Sequence, residues 1–211
     1  MEKDWHDIKF YTVPELATML MAAGPAGSLE NNLLRELLFC SPLLLRESLA
    51  KNRRMVIGKV MEQNNPWDVV IHDEMQLRAV HGTNKPLPDP LFIQLKELFL
   101  YEASSSVELE KWLAHITNVV RKACEKYKGR KPTGILHLYN RVPFQPTGLK
   151  QLEEKLAEMI FESPGPFKQV SITVDAKATG ILSWQIYPFF HAIGSLGQLE
   201  LPKLKELYDL K

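Results

Sequence analysis

Cysteine is scarce, with only Cys40 and Cys124 in 211 residues. Both lie inside apolar helical patterns and neither has a partner at metal-ligand spacing. They read as small buried hydrophobes in a reducing compartment, which excludes a disulfide scaffold. Long apolar runs are missing too. The longest, Leu37 to Leu45, is interrupted by Ser41 and Pro42, well short of the ~18 residues that cross a bilayer. The start, Met1-Glu2-Lys3-Asp4-Trp5-His6-Asp7, lacks the basic and apolar segments of a secretory signal. No membrane partner is expected, and the cytoplasm is the expected location. Internal repeats and low-complexity tracts are also absent.

What is present is the balance of an ordinary folded domain, 45% apolar and 24% charged. Thr12 and Glu15 stand at capping-box spacing before Leu16, Met19 and Leu20, which predicts a helix ended by Gly24-Pro25-Ala26-Gly27. Ser28 then caps a second helix carrying Leu33, Leu34, Leu37 and Leu38. Ser41 and Pro42 open a third, with Leu44, Leu45 and Leu49. Residues 53–61 fit either period. Trp67 to His72 reads as a strand, with Gln76 to His81 as its hairpin partner. The Pro-rich segment Thr83 to Pro90 is the clearest break.

Beyond it, Asp89 and Pro90 predict a helix with Leu91, Leu95, Leu98 and Phe99 on one face. Ser105 and Glu108 cap a long helix whose stripe runs Leu109, Trp112, Leu113, Ile116, Val119, Val120, Ala123 and Tyr127. Ile135 to Tyr139 is a short apolar strand, and Thr147 caps a helix with Leu149, Leu152, Leu156, Met159 and Ile160 inward. Val170 to Val174 alternates as a half-buried strand does. Strand, helix, strand predicts a parallel pair with a right-handed crossover. A further strand, Ile181 to Tyr187, and a helix from near Pro202 close the chain.

The fold expected is therefore helix-rich α/β (α+β). A helical N-terminal region with a short hairpin spans residues 1–85. Residues 86–211 form an α/β region, a small mixed sheet with a βαβ unit and a C-terminal hairpin, continuous with the first.

Net charge is only +1, but its distribution is uneven. Residues 61–110 hold three basic and nine acidic side chains, whereas residues 111–131 hold seven basic and one acidic. Arg121, Lys122, Lys126, Lys128, Arg130 and Lys131 crowd the end of the long helix, offset only by Glu125. Cations there complement the helix dipole, but six exceed what the dipole needs. The leading expectation is a non-enzymatic binding or assembly protein whose basic surface meets a nucleic acid or an acidic protein partner.

A second reading is a metal-dependent nuclease of restriction-enzyme type. Asp175-Ala176-Lys177 follows a strand, and Asp68, Asp73 and Glu74 cluster around an earlier one. An Asp and a second carboxylate would hold a divalent ion while the lysine steadies the attacking water. A third reading is a subunit of a complex whose chemistry lies on another chain. The histidines share no i, i+4 pair and no ligand motif, and His137 reads as a hydrogen-bonded core residue. Gly24 to Ser28 could offer backbone N–H groups to a phosphate at a helix start, although it lacks a P-loop lysine. No cofactor is expected.

Overall fold

The computed structural model describes residues 8–30, 32–60, 67–81, 83, 85, 88–98, 106–129, 134–140, 149–159, 167–175, 181–193 and 201–209. For residues 20, 24–30, 106–108, 149, 175, 181, 192, 201 and 204 it describes the backbone alone. The chain divides into two compact units, Met1–Ile93 with Leu196–Lys211, and Gln94–Ser195. As the sequence predicts, the protein is helix-rich α/β with a mixed sheet.

The first unit opens with β1 (Lys9–Tyr11) and α1 (Val13–Glu30). The capping box between them forms as predicted. Glu15 accepts from the Thr12 backbone N–H at 2.7 Å and from its hydroxyl at 2.9 Å, and these bonds hold the Glu15 carboxyl below its ordinary pKa. The predicted stop at Gly24 to Gly27 does not occur, for α1 continues to Glu30. Good helix formers, Met21, Ala22, Ala23 and Ala26, surround the breakers. That helical backbone also removes the helix start on which the phosphate reading of this segment rested.

The expected second and third helices are one, α2 (Asn32–Lys51), with Pro42 inside it. Proline cannot donate to the carbonyl four residues back, here that of Leu38. The Ser41 hydroxyl donates to that carbonyl instead, at 2.7 Å. The serine that looked like a cap is a repair within the helix.

Residues 53–61 resolve as β2 (Met55–Lys59), followed by β3 (Val69–Asp73). Both run antiparallel to their neighbours, β1 against β2, β2 against β3, and β3 against β4 (Leu91–Leu98). Gly58 stands opposite Phe10, and a Cβ there would lie 2.6 Å from Ile8 Cγ2. The close approach of β1 therefore requires glycine at this position.

Two expectations fail here. Residues 76–81 do not pair with β3 but lie in and just after α3 (Glu74–Val80), capped by Asp73, whose carboxylate accepts from Gln76 N–H at 2.9 Å. Residues 91–98 are a strand rather than a helix, because i, i+4 spacing suits a strand face as well as a helix face. The alternation of buried Leu91, Ile93 and Leu95 decides it. Asp89 adopts φ +47°, a turn conformation rather than a cap.

The division between the units falls within β4. The second unit continues with α4 (Ser106–Lys126), β5 (Gly134–Asn140), α5 (Leu149–Glu158), β6 (Phe167–Asp175), β7 (Ile181–Tyr187) and β8 (His191–Ala192). β5 and β6 are parallel, as the βαβ reading requires, while β6–β7 and β7–β8 are antiparallel. The caps assigned to Ser105 and Thr147 lie outside the described residues.

The predicted core holds. Trp112, Leu113, Ile116, Val120, Leu152 and Leu156 are all buried. One inference about β6 does not hold, since Ser171 and Thr173 are as fully buried as Ile172 and Val174. The strand is covered on both faces.

The last helix, α6 (Leu201–Tyr208), belongs to the first unit. The Tyr208 hydroxyl accepts from Met55 N–H at 2.8 Å, donates to the Met55 carbonyl at 3.0 Å and lies 2.6 Å from Ser48 Oγ. Burial pushes this phenol above its ordinary value, against the opposing pull of Ser48 and Met55.

Two measurements check this packing. Leu113→Ala should lower stability by about 2–5 kcal/mol in urea unfolding, the cost of emptying a buried leucine site. An unchanged midpoint would remove α4 from the core. Tyr208→Phe strands the Met55 polar groups and should cost about 1–3 kcal/mol. The folded state holds the Tyr208 proton more tightly than the unfolded chain does. Its contribution is therefore complete below pH ~10 and is lost as pH rises through the raised folded value. Wild-type stability should fall more steeply than that of the phenylalanine variant in this alkaline range, and parallel pH profiles would contradict the assignment.

Candidate functional site

The basic block takes shape at the C-terminal end of α4. Hydrophobic spacing turns Trp112, Leu113, Ile116, Val120 and Ala123 inward, which leaves Arg121, Lys122, Glu125 and Lys126 on the exposed face. After Lys126 the chain leaves the helix through a turn over Tyr127–Gly129, with Tyr127 N–H donating to the Ala123 carbonyl at 3.2 Å. Gly129, at φ +83°, supplies the left-handed residue that ends the helix.

Arg121, Lys122, Lys126 and Lys128 are all exposed. They are not equivalent. The Arg121 guanidinium donates to Glu125 at 2.9 Å and to Asn118 Oδ1 at 2.8 Å, so its charge is locally compensated. The Lys126 ammonium stands 5.3 Å from the centre of the Tyr127 ring. Lys122 and Lys126 are one turn apart on the same face. Neither they nor Lys128 form an ion pair among the described residues. Arg130 and Lys131 lie outside the described residues.

The two tyrosines that interleave the block in sequence are not part of its surface. Tyr127 is buried edge-on against Phe167, with ring centres 6.0 Å apart. Tyr139 is buried in β5 and its hydroxyl donates to Glu97 at 3.3 Å.

Two carboxylates of the nuclease reading have other duties. Asp73 caps α3 and accepts from Arg53 Nη1 at 3.2 Å, and Glu74 pairs with Arg78. Asp68 is half-buried, and its backbone N–H donates to the Ile93 carbonyl at 2.9 Å. Asp175 is the last residue of β6, in register with Ile181, and belongs to the other unit. Lys177 lies outside the described residues. Among the described residues no group of three or more His, Cys, Asp or Glu side chains could hold a metal ion.

The cysteines are poor nucleophiles. Burial pushes the Cys40 thiol well above its ordinary value, with Glu36 and Asp68 adding to the effect. Burial and then Glu125 raise Cys124.

A feature that composition and spacing did not reveal lies in the second unit. His137 is buried and hydrogen-bonded through Nδ1 to Ser171 Oγ at 2.7 Å, which makes it the core histidine expected. Beside it, Thr173 and Ser183 share a hydrogen bond of 2.6 Å, and Gln185 Nε2 donates to the Phe189 carbonyl at 3.2 Å. The sequence signal was the polar set of β6, but alternation alone does not tell a solvated face from a covered one. With no exposure at Ser171 or His137, this pair is a structural bond rather than a nucleophile open to substrate.

No helix of the described residues is long and apolar enough to cross a membrane. No protein-family model, no curated protein and no solved structure matches the chain.

Proposed function

We propose that this protein is a non-enzymatic binding or assembly protein that holds a polyanion, nucleic acid or acidic protein, on the basic end of α4. The observation that carries this reading is the set of exposed ammonium groups on Lys122, Lys126 and Lys128, which have no ion-pair partner among the described residues. Like charges gathered on one surface repel each other slightly, and an anionic partner relieves that repulsion while releasing counterions. This reading takes the protein to be cytoplasmic, in keeping with its two cysteines being free thiols.

The test is salt elution from immobilised heparin. Wild type should be retained at about 50 mM salt and elute as salt rises. Reversing Lys126→Glu and Arg130→Glu should abolish retention while shifting stability by no more than about 1 kcal/mol, since solvated charges add little to folding. Passage of wild type straight through the column, or an unchanged elution point for the double reversal, overturns the reading.

A further inference from the structure

We infer that the polyanion is duplex nucleic acid, held by its phosphates without regard to sequence, an inference that rests on the polyanion reading of α4. Three observations favour a duplex over the other candidates. A single strand is held largely by stacking its bases on exposed aromatic rings. Tyr127 and Tyr139, the aromatics nearest the cations in sequence, are both buried.

An acidic protein would bring a different requirement. Protein interfaces are anchored by aromatic, Met and Arg side chains at their cores and are depleted in lysine. The large apolar side chains exposed among the described residues are Met21, Met75 and Phe189, none of them on α4. Arg121, the arginine of the block among the described residues, already has its fork engaged by Glu125 and the Asn118 side-chain oxygen.

What remains is lysine, a hydrated point charge with no directional fork. Lys122 and Lys126 are spaced ~6 Å along the helix axis by four residues of rise. A duplex presents one negative charge per ~1.7 Å of its length, so such a pair meets phosphates in many registers. Bidentate contacts to base edges need Arg, Asn or Gln forks or a lysine inserted in the groove. The lysines described at this helix end carry no such fork and read charge density instead.

The experiment is fluorescence anisotropy of the full chain with two unrelated DNA duplexes of equal length, one of their single strands, and a polyglutamate peptide. Both duplexes should bind with similar Kd, in the range of about 10⁻⁴–10⁻⁶ M typical of sequence-independent contacts. Three lysine–phosphate contacts give a log–log salt slope of about −2.7, a loss of about 40-fold between about 50 and 200 mM salt. Lys122→Glu with Lys126→Glu should weaken duplex binding by at least about tenfold and flatten the slope by about two. Tighter binding of the single strand or of polyglutamate, or strong preference for one duplex, overturns the duplex inference and leaves the polyanion reading standing. Heparin retention without binding to either duplex has the same consequence. Failure of every probe, heparin included, overturns both.

Discussion

Covering a strand on both faces takes water away from its polar side chains as well as its apolar ones, and each must then be given a partner inside the protein. Both units are built under this constraint. In β3, His72 lies between the backbone carbonyls of Asp73 and Pro88, with ring nitrogens 2.9 and 2.7 Å away. In the second unit the His137–Ser171 and Thr173–Ser183 bonds join β5 to β6 and β6 to β7. These cross-strand bonds are worth only about 0.5–1.5 kcal/mol each when made, but an unpaired buried group costs about 1–3 kcal/mol. The asymmetry favours the native register, because a one-residue slip would turn every such side chain to the opposite face.

The same accounting governs the helices. Pro42 would leave the Leu38 carbonyl without its donor, and Ser41 supplies one. The exposed ion pairs of the helices, Lys150 with Glu154 and Lys155 with Glu158, sit in water and contribute far less. Apolar burial and interior hydrogen bonds hold the protein together, and the solvated charges on the end of α4 add little to folding.

Sequence patterns reported on the elements whose evidence is local. The stripe of α4 persists for nearly five turns, and the capping box of Thr12 and Glu15 is complete in four residues, so both were legible. β4 was not, because Leu91 and Leu95 occupy one face under either period. The continuity of α1 and α2 was hidden because breakers were read at face value, whereas Ser41 offsets the break at Pro42. β1, three residues long, exists only through a partner about fifty residues away, and β8, two residues long, is too short to carry a periodicity of its own. The candidate site was legible as a count of charges. Which cations lack an ion-pair partner was not, since that depends on the Arg121 fork meeting Glu125 while the lysines meet no carboxylate among the described residues.

The tie between Tyr208 and Met55 has a further consequence for how the protein is made. A ribosome releases the N-terminus first, and the 102 residues of Gln94–Ser195 emerge before α6 does. Until then Ser48 and the Met55 backbone lack the phenol that binds them, and the first unit is incomplete despite having most of its sequence outside the tunnel. The second unit is contiguous in the chain and contains all of its own strands from β5 onward. The unit that holds the first-made residues therefore cannot be completed until residues 201–208 have been made as well.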